Sequence, residues 1–271
     1  MNELYCLEYK PLNMKIIPVI CLSSLLISCD KNNSPANPVL RNGVYSNGQL
    51  ATGNITLSGV SAPAGYSWSE AQYNTTTNVA NFIIGIACGY TASSDYRPAD
   101  DFVIPAGQTW KISKISTYAI ASTGVSNPFD ALRLQIWNGS PAVAGTAIVY
   151  GDLTTNRLSQ RLDSMICPIQ NSILPAPGVT PLANTTIWKL SADVDIELTS
   201  GTYWLVYQTH HISNIDCFSP LVKSKGQRGV PGWNALVFNS LLVWQTVVDS
   251  GSPVTYPQIP QDLPFEIIYK Y

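Results

Sequence analysis

The chain has 271 residues, 15 basic against 17 acidic side chains, and a formal net charge of −2. No basic excess exists to neutralise phosphates, so nucleic-acid binding is excluded. Only 12% of residues are charged, beside 18 glycines and 19 prolines, which excludes a helical enzyme and fits an extracytoplasmic β protein.

Taken in order, the first element is Met14–Cys29. One lysine, Lys15, precedes the apolar run Ile16–Ile27, and Leu26-Ile27-Ser28-Cys29 has the form of a lipobox. The run falls short of the roughly 20 apolar residues that span a bilayer, and it suits a secretory signal. Cys29 is therefore the expected lipidation site; Cys21 is a poorer one because bulky Ile20 precedes it. Residues 1–28 form the signal segment, with the true start at Met14 and Met1–Asn13 an upstream artefact. The expected location is extracytoplasmic and lipid-anchored, with a surface-exposed place on the outer membrane favoured. Asp30–Pro38 is polar and proline-bearing, a segment unable to bury apolar surface, so 29–42 reads as a flexible tether.

Residues 43–271 read as one β-sandwich domain with an N-terminal extension. Between Trp110 and Tyr118 the apolar parity slips from Trp110 and Ile112 to Ile115, which predicts a β-bulge. Leu132, Leu134 and Ile136 alternate with Arg133, Gln135 and Trp137, a half-buried strand. Asn138-Gly139 follows at once and predicts a tight hairpin turn. Pro168–Ala183, with its four prolines, predicts a long surface excursion, and His210–Trp233 a second. Trp188, Leu190, Ala192 and Val194 alternate against Lys189, Ser191 and Asp193. Tyr203–Tyr207 is apolar on both faces, as in a central strand covered on both sides. Phe265, Ile267 and Tyr269 repeat the alternation, while Pro105-Ala106-Gly107 and Thr199-Ser200-Gly201 read as turns before aromatic strand starts. The predicted fold is all-β, an antiparallel two-sheet sandwich of jelly-roll type with long loops.

Three stretches carry a family resemblance: Ser58–Glu70 (SGVSAPAGYSWSE), Ala99–Trp110 (ADDFVIPAGQTW) and Leu198–Leu205 (LTSGTYWL). Tyr150–Arg157 and Asp262–Phe265 follow in the same order. Together these resemble a family of secreted bacterial β-sandwich domains that are often joined to C-terminal sorting or anchoring signals. The resemblance implies a jelly-roll module of an extracellular protein, with no established enzymatic activity and no catalytic residues to carry over. The sequence stops at Tyr271 without such a sorting segment, so the lipid on Cys29 is the expected anchor.

The candidate chemistry is sparse. Asp100-Asp101 opens a strand after a loop, where adjacent carboxylates can hold a structural calcium ion; the alternative is that one Asp caps the turn while the other is solvated or paired with Arg97. No other cofactor is expected. Trp233 and Asn234, in the glycine-bearing stretch Gly229–Asn234, are the candidate ligand-binding pair, because an aromatic face fits the C–H face of a sugar. His210-His211 point to opposite sides of an extended chain and lack metal-site spacing, so a surface-loop role is expected. Cys88, Cys167 and Cys217 follow Cys29; Cys88 sits in an apolar run and reads as a buried free thiol, which leaves Cys167 and Cys217 as the expected disulfide if one forms. No nucleophile elbow or phosphate loop is present, and Glu70, Glu197 and Glu266 are the only glutamates after Cys29. The functional expectation is a non-catalytic envelope module that binds an extracellular ligand, carbohydrate favoured. The alternatives are a structural or adhesive protein that meets a partner protein, and a secreted hydrolase using two carboxylates.

Overall fold

A computed structural model describes residues 40–74, 76–77, 79–122, 124–169, 185–223, 227–239, 241–251 and 257–271. The signal segment, Cys29, the tether up to residue 39 and most of the proline-rich excursion lie outside the described residues. Among the described residues there is no helix.

The strands in chain order begin with β1 (Asn42–Ser46), β2 (Ser67–Glu70), β3 (Tyr73–Asn74), β4 (Val79–Ala80) and β5 (Gly85–Ala87). They continue with β6 (Arg97–Ser122), β7 (Phe129–Trp137), β8 (Ile148–Asp152), β9 (Leu158–Asp163), β10 (Ile166–Ile169) and β11 (Thr185–His211). The last are β12 (Phe218–Pro220), β13 (Leu236–Phe238), β14 (Trp244–Thr246), β15 (Val248–Asp249), β16 (Ile259–Pro260) and β17 (Phe265–Lys270).

Two strands organise everything else. β6 and β11 run antiparallel along nearly their whole length, from Thr185 opposite Ser122 to Val206 opposite Ala99. The ladder breaks where Thr199 faces Thr109 and Gly201 faces Ile104, so Pro105–Gln108 bulges out opposite Ser200. Gly107 turns this bulge with a φ of 79°, a backbone region that a Cβ penalises. The two predicted turns thus meet as one bend in a continuous ribbon. On one side of the bend the ribbon is flanked by β17, β1 and β9. On the other it is flanked by β7, β8, β13 and β14.

Both halves face one core, which makes the arrangement an all-β sandwich. Ile112, Ile115, Leu190 and Ile267 come from the first sheet and Phe102, Leu134, Ile136 and Leu205 from the second. The predicted bulge is centred on Ser113: β17 steps from Ile268 opposite Lys114 to Tyr269 opposite Ile112, while Val194 and Asp195 of β11 share the same gap. Tyr203–Tyr207 lies between β6 and β7. Its Leu205 and Tyr207 enter the main core, whereas Trp204 and Val206 pack on the outer face with Ala99 and Leu236.

Two expectations need correction. Asn138 does not close a tight hairpin: β8 starts only at Ile148, and Asn138 instead clamps the loop by donating its N–H to the Ala147 carbonyl and accepting the Ala147 N–H at 2.7 Å. The strand ladders of the main sheets are antiparallel as expected, and the short β10 pairs parallel with β2. The stretch after His210 is not an open excursion, because Phe218–Pro220 pairs with β5 and Phe218 reaches Ile120 of β6.

A buried polar network fastens the loops. Arg228 donates Nε to Asn81 Oδ1 and a guanidinium N–H to Asp249 Oδ1 at 2.7 Å, with side chains 3% and 0% exposed. Asp249 also accepts the backbone N–H groups of Ile83 and Gly251. Gln72 donates to Val222 O and Gln261 Oε1, and Asn81 donates to the same Gln261 oxygen. Most buried polar groups in folded proteins are satisfied in this way.

Candidate functional site

Strand register sets a row of polar side chains on the outer face of the first sheet. Lys189 of β11 faces Tyr118 of β6, and Leu162 of β9 faces Lys189. Across β6, Glu266 of β17 pairs with Ser116, one pleat from Tyr118. Alternation sends Leu190, Ala119 and Ile267 into the core, so their neighbours Lys189, Tyr118 and Glu266 emerge together on the opposite face.

The three are bonded to one another. The Tyr118 hydroxyl donates to Glu266 Oε1 at 2.5 Å, and the Lys189 ammonium binds Oε2. Burial pulls the Glu266 carboxyl upward, but its bonds from Lys189 and Tyr118 outweigh that and hold it below its ordinary value. Burial, followed by the bond to Glu266, lifts the Tyr118 phenol well above its ordinary value. Glu266 therefore favours its anionic form and Tyr118 its neutral, donating one.

These residues form part of the wall of a cleft of about 410 Å³, with Ser46, Leu50, Ser164, Ile166 and Pro264 around them. Asp163, also in the wall, accepts from Thr186 Oγ1 at 2.6 Å and from the Met165 N–H at 2.9 Å. The size falls within the range of small-ligand sites, and apolar and polar groups converge in it as such sites require. A second cleft of about 290 Å³ is lined in part by Ile120, Val125, His211, Ile215 and Phe218.

The residues singled out in the sequence lie elsewhere. Asp100 is fully buried and its carboxylate is spent on structure: Oδ2 accepts Asn47 Nδ2 and the Leu263 N–H, and Oδ1 accepts the Asp101 N–H. Burial, then the nearby Asp262, raises its pKa well above the ordinary value. Arg97, the partner that the alternative reading offered to one of the two aspartates, binds Asp95. Asp101 is hydrogen-bonded by the Asn234 side chain and is itself raised by burial. Among the described residues no group of three or more His, Cys, Asp or Glu side chains is placed to hold a metal.

Trp233 is half-buried, its backbone N–H donating to Val230 O, and it lines neither cleft. Asn234 donates its backbone N–H to Asp262 Oδ1 and so tethers its loop to the segment before β17. The histidines end β11 and do not sit in a surface loop. His210 bonds Asp130 at 2.6 Å, while buried His211 packs edge-on against Phe129. The cysteine expectation is corrected as well: Cys217 Sγ lies 3.5 Å from Cys88 Sγ, whereas Cys167 packs with Trp68 and Ile169 in a separate cluster. No family model, curated protein or solved structure matches the chain.

Proposed function

We propose that this protein is a lipid-anchored envelope module of the secreted β-sandwich type it resembles, and that it holds a hydroxyl-rich ligand, a carbohydrate, without transforming it. The observation that carries the reading is the cleft around Lys189, Tyr118 and Glu266, where a fixed anion, a cation and a phenol meet. Sugar hydroxyls both donate and accept, so a wall offering carboxylate oxygens and ammonium protons matches them. Cys29 lies outside the described residues; its lipid is supported by the lipobox pattern alone.

The test is binding of the full chain to an array of glycans, followed by titration of any hit against the Lys189→Met and Glu266→Gln variants. Each variant is expected to weaken binding at least tenfold while leaving the melting temperature within a few degrees. Equal binding by variants and wild type, or no glycan bound at all, overturns the reading.

An adhesive role has one observation in its favour. The β13–β14 hairpin carries Leu241, Leu242 and Val243 at its tip, 71%, 68% and 46% exposed. Three adjacent exposed apolar residues form a contact patch for a partner protein. Loss of partner capture after Leu241→Ser with Leu242→Ser, with glycan binding absent throughout, selects this role.

A further inference from the structure

Cys88 and Cys217 continue the β5–β12 ladder by one step. Phe218 faces Ala87, Ser219 faces Ile86, and the next position along the ladder places Cys217 opposite Cys88. The Cys88 N–H donates to the Cys217 carbonyl at 2.9 Å, which confirms the register. Opposed residues of an antiparallel pair sit about 4.5–5.5 Å apart Cα to Cα. That spacing lies inside the roughly 4.4–6.8 Å that a disulfide tolerates. The sulfurs are 3.5 Å apart, and both residues belong to the main core at 0% and 2% exposure. Gly89 makes room for them: a Cβ there would lie 3.2 Å from Cys217 Sγ and 3.0 Å from its N.

We propose that Cys88 and Cys217 become a disulfide when the chain folds in an oxidising compartment, with Cys167 left as the free thiol. The compartment rests on the extracytoplasmic reading above; the pairing rests on geometry alone. The oxidant is a protein or low-molecular-weight disulfide. One cysteine thiolate attacks a sulfur of that disulfide, which forms a mixed disulfide and expels a thiolate. The second cysteine, deprotonated, then attacks the first and expels the other half. The two protons lost by the cysteines end on the two expelled thiolates, so the oxidant gains two electrons and two protons and departs as thiols. Hydrogen bonds from Cys88 and from Thr209, whose hydroxyl lies 2.8 Å from Cys217 Sγ, favour the Cys217 thiolate, whereas burial raises Cys88. Both sulfurs are sealed in the finished core, so the bond forms before the sandwich closes.

Tryptic fragments separate the three cysteines cleanly. Cys88 lies in 42–111, Cys167 in 162–189 and Cys217 in 190–223, because Arg97 is followed by proline and resists cleavage. The full chain is prepared once from an oxidising and once from a reducing expression compartment, unfolded in iodoacetamide, and digested without reductant. The oxidised sample should yield 42–111 joined to 190–223, two hydrogens lighter than the pair, with 162–189 alkylated. The reduced sample should yield all three alkylated. Alkylated Cys88 and Cys217 in the oxidised sample, or 190–223 joined to 162–189, overturns the proposal. Because the experiment imposes the compartment, failure here leaves the location of the natural protein untouched. That location is read separately, by whether the chain sediments with membranes.

Discussion

Replacing Asp249 with leucine should be among the most damaging single changes outside the main core. The substitution strips Arg228 of its ion pair with Asp249, in a place where the two side chains are 3% and 0% exposed. Breaking such a buried pair costs about 3–5 kcal/mol, because the surviving charge stays out of water. Asp249 also accepts the N–H groups of Ile83 and Gly251, and each orphaned donor costs about 1–3 kcal/mol where it stays dry. These costs overlap at contacting groups and do not add in full, so a net loss of about 4–5 kcal/mol is expected. For a domain of this size each kcal/mol moves the midpoint by about 2–4 °C, which places the fall in Tm at about 10 °C or more. Asp249→Asn keeps an acceptor oxygen and removes only the charge, so its loss should be smaller. Urea unfolding with both slope and midpoint fitted is the assay. A loss under about 1 kcal/mol for Asp249→Leu, with unchanged slope, would refute the claim that Arg228 and Asp249 are closed off from water.

Other consequences are open to the same measurements. Burial raises the Asp262 pKa to about 6, with Asp101 adding to the rise, so the folded chain binds an extra proton between about pH 4 and pH 6. The stability linked to this group is therefore full below about pH 4 and is lost as pH rises through 6. Asp262→Asn should flatten that decline, since an amide oxygen can still accept from Asn234; a profile parallel to wild type across pH 4–7 would count against it. Leu242 holds a φ of 59° at the hairpin tip, a region that asparagine tolerates far better than leucine. Leu242→Asn should gain about 0.5 kcal/mol in thermal unfolding by easing the clash at Cβ, and a destabilised variant would rule that out.

The legible parts of this fold are those decided by neighbours in sequence. Leu132, Leu134 and Ile136 are all fully buried, and the two-faced run at Tyr203–Tyr207 is a central strand, because period-2 alternation reports burial directly. The slip at Ser113 was visible for the same reason. What escaped depends on partners far along the chain. Glycine and proline at Pro105–Gly107 look the same whether they end a strand or bend one, and only the facing Ser200 decides. The cleft was half legible: alternation puts Lys189 and Glu266 on the non-core face, yet 77 residues separate them and nothing local says that β11, β6 and β17 lie side by side. Cys88 read as an isolated core thiol because its partner is 129 residues away.

The bent ribbon also bears on how the molecule comes to exist. Every pairing between β6 and β11 joins segments separated by more than sixty residues, and both sheets are assembled on that pairing. Loop closure must be met before the contacts repay it, so the ribbon sets a slow, late nucleus for a chain of high contact order. Synthesis proceeds from the N-terminus, so the 26 residues of β6 emerge with both edges bare well before β11 is made. The interval before Thr185 arrives is the time at which this chain is most exposed to aggregation, and a holding chaperone would be needed there most.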